Sequence, residues 1–333
     1  MHKLLLILIS LALFSCSDQY ELSLVTVNGE VKGSDLGFTL EHEHILVDFS
    51  GAEGYDPTRW NHDSVQLKVL PFLKEVASLG GGTLIDATPQ FLGRDVSLLK
   101  RLSDESGLNI ITNTGLYGAV DRKYLPAYVY NSSPQNLADR WIDEFENGID
   151  DTGIKPGFIK ISVNPGQLGD IESKLVEAAC ITHKATGLTI ASHTGPAVAA
   201  FEELAILKKY GIAPSAFIWI HAQNEEDWGK CLEAANRGAW IAFDGLNDDN
   251  VLEYVERINF MKKNGVLNKL LISHDAGWYD PDKTGGGDFR PYNTVFESLL
   301  PALTVQGYSE SEIEQIFKKN PVEAFAVRVR VEN

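Results

Sequence analysis

The sequence predicts an α/β chain in which eight parallel strands close into one (β/α)8 barrel of the TIM type. Short runs rich in β-branched residues alternate eight times with longer amphipathic runs between residues 38 and 273. This alternation is typical of parallel strands joined by helical crossovers, and a doubly wound sheet usually has fewer strands. No linker-like stretch interrupts residues 17–333, so we expect the barrel to be a single domain.

The individual elements follow in order from these runs. Strands are expected at 38–47, 83–88, 109–114, 158–163, 188–192, 216–221, 240–243 and 269–273. Helices, with polar or glycine residues at their ends, are expected at 64–79, 96–106, 134–149, 171–186, 197–210, 225–237 and 250–264. Ahead of the barrel, residues 25–32 predict a small hairpin with Asn28 and Gly29 in its turn.

The charge balance restricts the partners of the chain. It has 46 acidic and 29 basic residues, a formal net charge of -17, and 44% hydrophobic residues. A strongly acidic chain repels nucleic acid and anionic membrane surfaces, so neither is an expected partner. A small-molecule substrate is expected instead, and a homodimer is left open.

Residues 1–16 have the features of an export signal. Lys3 precedes an apolar run at 4–14 that is too short to span a bilayer. The run leads into Ser15 and Cys16, and this ending resembles the lipobox of bacterial lipoproteins, in which the cysteine is lipidated. The alternative is an ordinary secretory signal with a chance cysteine. The lipobox predicts an exported protein whose only membrane contact is a lipid on Cys16, on the periplasmic or outer-membrane side of the cell envelope.

Two histidines at the end of the first predicted strand have metal-chelating geometry. His42 and His44 are two residues apart, and side chains in a strand alternate between its two faces. Both imidazoles are therefore expected on one face, with Glu41 and Glu43 on the other. Because neutral imidazole is the commonest metal ligand, the pair predicts part of a metal site. Taken alone, it is equally compatible with two surface histidines.

The remaining candidates lie at the C-terminal ends of other strands, where (β/α)8 barrels build their active sites. Strand four carries Lys160 inside an apolar run, and burying its charge requires pairing, neutralisation or modification. Strands five, six and eight end in His193, His221 and Asp275. A lone histidine at a strand end is as often structural as functional, but the whole set is expected to converge on metal.

In this order the set resembles the metal site of the phosphotriesterase family in the amidohydrolase superfamily. The six residues are His42, His44, Lys160, His193, His221 and Asp275. The similarity covers nearly all of the chain after the signal and extends to residues 37–40, 109–118 and 320–325. Six spaced ligands with these flanking segments make the resemblance specific.

The resemblance implies a hydrolase with two divalent metals, bridged by Lys160 after its carboxylation by carbon dioxide to N6-carboxylysine. His42, His44 and Asp275 would hold the more buried metal, and His193 and His221 the more exposed one. A hydroxide between the metals would attack the substrate, and Asp275 would accept its proton. Zinc is the favoured metal, with manganese, cobalt or iron as alternatives.

The resemblance leaves several substrates open. A lactone, a carboxylic ester or a phosphotriester is expected, and an N-acyl amide such as an N-acyl amino acid is the alternative. A third hypothesis is a non-catalytic exported lipoprotein that binds a metal or a metabolite. Such a protein would not need a bridging lysine or a proton acceptor.

The loop at 277–292 is the expected source of specificity. It contains three glycines without the lysine of a phosphate-binding loop, so it predicts a mobile lid. Its residues Trp278, Tyr279 and Arg290 are predicted substrate contacts, together with Tyr117 at the end of strand three.

Overall fold

The computed structural model describes residues 21–332, and in this range the chain forms the predicted (β/α)8 barrel. Its barrel strands, numbered one to eight in chain order, are Phe38–Leu46, Gly81–Asp86, Asn109–Ile111 with its continuation Asn113–Thr114, Phe158–Ser162, Ile190–His193, Phe217–Ile220, Trp240–Phe243 and Leu270–Ile272. The predicted signal at 1–16 lies outside the described residues.

Each barrel strand is followed by helical structure. The crossover helices are His62–Ser78, Val96–Ser106, Pro134–Asn147, Asp170–Thr186, Ala197–Lys209, Trp228–Arg237 and Val251–Lys263. After strand eight come the helices Leu300–Val305, Glu310–Glu314 and Asn320–Phe325, with π-helical turns at Val295–Leu299 and Gln315–Lys319. None of the described helices has the length and apolar character needed to cross a membrane.

Neighbouring barrel strands pair in parallel, as crossover helices require. The ring closes between strands eight and one, where Asp275 N donates to His42 O at 3.1 Å and His44 N donates to Ala276 O at 2.9 Å. The chain then adds Gly277–Tyr279 as a further parallel strand beside strand one. The ends of strands eight and one are thus joined at the predicted ligand residues.

A β-bulge in strand one interrupts the strict alternation that the sequence predicts. Between the pairings of Leu40 and Glu43, strand one has two residues, Glu41 and His42, where strand two has only one. Glu41 is buried, and both of its carboxylate oxygens lack a hydrogen-bond partner among the described residues. Burial and the nearby charge of Asp244 raise the pKa of Glu41 well above its ordinary value.

The predicted hairpin is present, with its turn one residue earlier than expected. Its strands Ser23–Thr26 and Gly29–Lys32 pair antiparallel and leave residues 27–28 as the turn. Gly29 begins the returning strand with a φ of +108°, a conformation that glycine adopts far more readily than other residues. The hairpin packs over the start of strand three, where a main-chain hydrogen bond of 2.9 Å ends on Ile110 O.

Apolar side chains fill the N-terminal half of the barrel. Leu24 of the hairpin, Phe158 and Ile218 of the strands and Phe325 of the last helix belong to one buried cluster there. A larger apolar layer separates the strands from the surrounding helices. Because packing fills the N-terminal half, the open space inside the barrel lies towards the C-terminal ends of the strands.

Candidate active site

A cavity of about 200 Å³ opens at the C-terminal ends of the barrel strands. All six predicted ligand residues line it, together with aromatic and aliphatic side chains. The lining residues are His42, His44, Val47, Phe49, Leu92, Tyr117, Val120, Tyr124, Lys160, His193, His221, Asp275 and Trp278. The structure therefore gathers the ends of strands one, four, five, six and eight around one space.

Three donor residues from strands one and eight lie close enough to share one ion. The candidate donor atoms of His42, His44 and Asp275 all lie within 4.8 Å of one another. Asp275 Oδ1 is 3.1 Å from His44 Nε2 and 3.7 Å from His42 Nε2. Asp275 has a φ of +52°, which a non-glycine residue keeps only where its surroundings hold it.

A second pair of imidazoles adjoins the first. His193 and His221, from strands five and six, pack edge to face with ring centroids 4.3 Å apart. The ring of His221 also lies 5.1 Å from that of His42. Tyr117 places its hydroxyl 3.1 Å from His193 Nδ1, so its phenol ring forms a wall beside this pair.

Lys160 is buried next to these histidines. Its side chain is 1% exposed, and its Nζ lies 3.4 Å from His42 Nε2. The one hydrogen-bonding neighbour of this amine among the described residues is therefore another nitrogen base. Burial lowers the pKa of Lys160 to about 8, so a neutral amine is accessible near neutral pH.

Asp244, at the end of strand seven, orders two of the imidazoles. Its Oδ1 lies 2.6 Å from His221 Nδ1, and its Oδ2 lies 3.0 Å from His42 Nδ1. Gln223 Nε2 donates to the same carboxylate at 2.9 Å. Sequence reasoning missed Asp244, although its position directly after the apolar strand Trp240–Phe243 was a usable signal.

Thr88 and Asp86 support His44 from strand two. Thr88 Oγ1 lies 2.7 Å from His44 Nδ1. The Asp86 carboxylate accepts hydrogen bonds from Thr88 N at 3.0 Å and from Ile45 N at 2.9 Å. In His42, His44 and His221, protein groups thus face Nδ1, which leaves Nε2 for a ligand in the cavity.

Glu43 holds the segment that carries Asp275. Its buried carboxylate accepts hydrogen bonds from Ser273 Oγ and His274 Nδ1, each at 2.6 Å, and from Ala276 N at 2.9 Å. Burial alone would raise the pKa of Glu43, but His274 and these hydrogen bonds lower it on balance. The charged carboxylate therefore fixes the main chain on both sides of Asp275.

Glu203, in the helix after strand five, holds the end of that strand. Its carboxyl group accepts hydrogen bonds from Ser192 Oγ at 2.5 Å and from Thr194 Oγ1 at 2.7 Å. These two hydroxyl groups flank His193. Glu203 is fully buried, and burial raises its pKa to about 7.

The electrostatics of the cavity suit a bound cation. Burial lowers the pKa of His42 to about 4 and that of His193 well below its ordinary value, so both imidazoles are neutral. Burial alone would raise the pKa of Asp275. The hydrogen bond to His44 and the neighbouring histidines have the larger effect, so the pKa lies below its ordinary value. Neutral His42 and His193 beside a charged carboxylate are in the protonation states that bind divalent cations.

The structure places two of the four predicted substrate contacts in the cavity wall and two outside it. Tyr117 and Trp278 line the cavity, whereas Tyr279 and Arg290 do not. Tyr279 is buried because its ring packs against Gly286. Arg290 is exposed, and its guanidinium group donates to the main-chain oxygen of Asp275 at 2.9 Å.

The base of the loop at 277–292 belongs to the sheet. Gly277 and Arg290 exchange main-chain hydrogen bonds of 3.1 and 3.0 Å, which close the loop on itself. The strand Gly277–Tyr279 also ties the loop to barrel strand one. The mobile lid stays a prediction for the residues between Tyr279 and Arg290.

The chain is similar to characterised proteins along nearly its whole length. The model of the Phosphotriesterase family matches residues 22–325. An aryldialkylphosphatase of Saccharolobus solfataricus is 29% identical over 89% of this chain and 97% of its own length. An N-acetyltaurine hydrolase of Mus musculus is 27% identical over 89% of this chain and 95% of its own. The organophosphorus hydrolase of Deinococcus radiodurans has the same fold, with a TM-score of 0.82 at 24% identity over 92% of this chain and 97% of that chain.

Replacing Glu203 by Gln should change how stability depends on pH. In the wild type the pKa is raised from 4.5 to about 7, so Glu203 favours folding at low pH, and this contribution is lost as the pH rises through 7. The difference in the free energy of unfolding between the wild type and Glu203→Gln should therefore change from pH 5 to pH 8. The wild type should lose at most about 3 kcal/mol relative to the variant over this range. Denaturant titrations at both pH values measure this difference.

Leu207→Ala provides the control, because Leu207 is buried in the same helix and carries no titratable group. It should lower stability by the same amount at both pH values. A Glu203→Gln variant whose stability runs parallel to that of the wild type would show that Glu203 does not titrate in this range.

Proposed function

We propose that this chain, which belongs to the phosphotriesterase family and is a metal-dependent hydrolase, hydrolyses a small, neutral ester-type substrate. The observation that carries the proposal is the donor set around one apolar cavity, which consists of four imidazoles, one buried amine and one carboxylate. Such a set is too large for one tetrahedral ion and fits two.

The donor set divides naturally between two ions. His42, His44 and Asp275 would hold the more buried ion, and His193 and His221 the more exposed one. Neutral imidazoles and the cavity-facing Nε2 atoms described above support this division. When bound, two divalent ions make hydroxide available near neutral pH and polarise the carbonyl or phosphoryl oxygen of the substrate. Zinc suits a histidine-rich site, with manganese, cobalt or iron as alternatives.

Lys160 would join the two ions as a carbamate. A buried ammonium group without an anionic hydrogen-bond partner is costly, and the neighbour of Lys160 Nζ is His42 Nε2. Addition of carbon dioxide to the neutral amine, with release of one N–H proton to solvent, would instead give a carbamate anion whose two oxygens can act as metal ligands.

The remaining polar residues would move or hold protons. Asp275 would accept the proton of the attacking nucleophile, because its carboxylate lies among the ligand nitrogens. Glu43 keeps Asp275 in place through the adjacent main chain. Asp244 would keep a proton on Nδ1 of His221, so that Nε2 of His221 faces the cavity, and its other oxygen lies 3.0 Å from Nδ1 of His42.

The cavity walls favour an uncharged substrate. Val47, Phe49, Leu92 and Trp278 contribute apolar or aromatic surface, and apart from the four histidines Lys160 is the one basic residue among those that line the cavity. An anionic group on the part of the substrate that contacts these walls, away from the metal ions, would lose its hydration without gaining a counter-charge. A lactone, a carboxylic ester or a phosphotriester avoids this loss.

The second candidate substrate is an N-acyl amide. The similarity to an N-acetyltaurine hydrolase supports it, and the same donor set can act on an amide carbonyl. An N-acylated amino acid or taurine carries an acidic group, however, and the cavity walls offer it no free basic side chain. A non-catalytic exported protein that binds a metal or metabolite is less favoured, because such a protein would not need Lys160 and Asp275 beside each other.

A substrate panel tests the proposal. Protein produced with added zinc or manganese should contain close to two divalent ions per chain by elemental analysis. Its kcat/KM for an uncharged aryl ester, lactone or dialkyl aryl phosphate should exceed that for N-acyl amino acids by at least tenfold. The opposite order would favour the amide, and a metal-loaded protein inactive on the whole panel would favour the binding protein.

Lys160→Ala should lose metal and activity together while it keeps the barrel fold. An added short-chain carboxylic acid should partly restore both, because it can replace the missing carbamate. Asp275→Ala is the matched comparison and should not regain its full rate, since a proton acceptor must also be correctly positioned. Wild-type turnover and two bound ions in Lys160→Ala without any additive would contradict the role of Lys160.

We also propose that the protein is exported and lipid-anchored through Cys16, since its apolar N-terminal run ends in a lipobox-like sequence. Cells expressing the full chain should label it with palmitate, and it should fractionate with membranes. Cys16→Ala should abolish the labelling. A fully soluble, unlabelled secreted product would favour the ordinary export signal.

A further inference from the structure

The segment after strand three contains an unusual backbone turn. Val120, Asp121 and Arg122 have consecutive φ values of +54°, +52° and +65°. This left-handed region is unfavourable for residues with a Cβ atom, and most of all for a β-branched residue such as valine. Glycine would adopt the same conformation without steric cost. The turn therefore has three residues with side chains at positions where glycine would avoid the backbone strain.

Several contacts hold the turn in this conformation. Arg122 makes a bidentate ion pair with the buried carboxylate of Glu172, through Nε and one terminal nitrogen, each at 2.9 Å. Asn164 donates to the same carboxylate at 3.0 Å and accepts from the main chain of the turn at 3.1 Å. Ala119 N donates to the buried Ser162 Oγ at 2.8 Å. The turn is thus clamped to strand four and the helix that follows it.

The side chain of Val120 has no role in the core. It is 55% exposed, and it lines the cavity that contains the ligand residues. Tyr124, just after the turn, also lines the cavity and packs edge to face on Tyr117, with ring centroids 5.6 Å apart. Core burial therefore does not account for a strained valine here, whereas contact with a bound substrate would.

We propose that Val120 is a specificity-determining residue, held at the cavity mouth by the clamped turn so that its side chain limits the bulk of the substrate. This assignment rests on the proposed function, because it concerns the ester-type substrate of the same site. Since the cavity is only about 200 Å³, a wall that moves or shortens by one side chain changes which acyl groups fit.

The test compares glycine substitutions at two neighbouring positions of the turn. Val120→Gly removes a cavity wall and relieves strain, whereas Asp121→Gly relieves strain at an exposed residue that does not line the cavity. The readout is the ratio of kcat/KM for 4-nitrophenyl benzoate to that for 4-nitrophenyl acetate. Val120→Gly should raise this ratio at least fivefold without lowering the melting temperature, and Asp121→Gly should leave it within twofold of the wild type. Val120→Ala, which shortens the side chain but keeps the Cβ atom, should shift the ratio in the same direction as Val120→Gly.

The outcomes separate the two proposals. If the metal-loaded wild type hydrolyses neither these esters nor the lactones and dialkyl aryl phosphates of the panel, the proposed function fails, and the assignment of Val120 fails with it. If it hydrolyses only lactones or phosphates, the ratio is measured between a bulky and a small member of that class. If the wild type is active but Val120→Gly leaves the ratio within twofold, the assignment of Val120 alone is overturned. The same holds if Asp121→Gly raises the ratio as much as Val120→Gly does, since the flexibility of the turn would then be responsible instead of the side chain.

Discussion

One buried carboxylate connects the two pairs of imidazoles. Asp244 is fully buried and lies between His42 of strand one and the Nδ1 of His221 after strand six. Burial alone would raise its pKa, but the two histidines hold that pKa well below its ordinary value. A buried charge is tolerated only while it is paired, so these strand ends cannot shift relative to one another without leaving Asp244 unpaired. The position of the cavity-facing nitrogens depends on this constraint.

Other buried carboxyl groups join neighbouring elements in the same way around the rim of the barrel. Glu43 joins strand one to the segment around Asp275, Asp86 joins strand two to strand one, and Glu203 joins a helix to strand five. Each carboxyl group lies behind a residue that faces the cavity. Burying these polar groups costs free energy of folding. The apolar packing of the N-terminal half and of the layer around the strands offsets this cost. These carboxylates therefore tie the strand ends that carry the site to neighbouring strands and helices.

The ligand residues could be predicted from sequence because their residue types are distinctive and the ends of barrel strands are readily located. Their supports could not, because the partners of Asp244 come from other strands and depend on barrel closure. The bulge at Glu41 depends on the register between strands one and two, which no local pattern encodes. The directions of Tyr279 and Arg290 depend on how their loop pairs with strand one.

Backbone strain is concentrated at the cavity. Of nine non-glycine residues with positive φ in residues 21–332, four line the cavity, namely Val120, His221, Asp275 and Trp278. Two of these are ligand candidates and two are walls. Local preference disfavours such conformations, so each persists only because surrounding contacts determine it. For the ligand candidates those contacts are the buried carboxylates of the strand ends. For Val120 they are contacts of its turn with Ser162, Asn164 and Glu172, none of which is a ligand candidate, so the wall can change its shape without disturbing the residues that perform the chemistry.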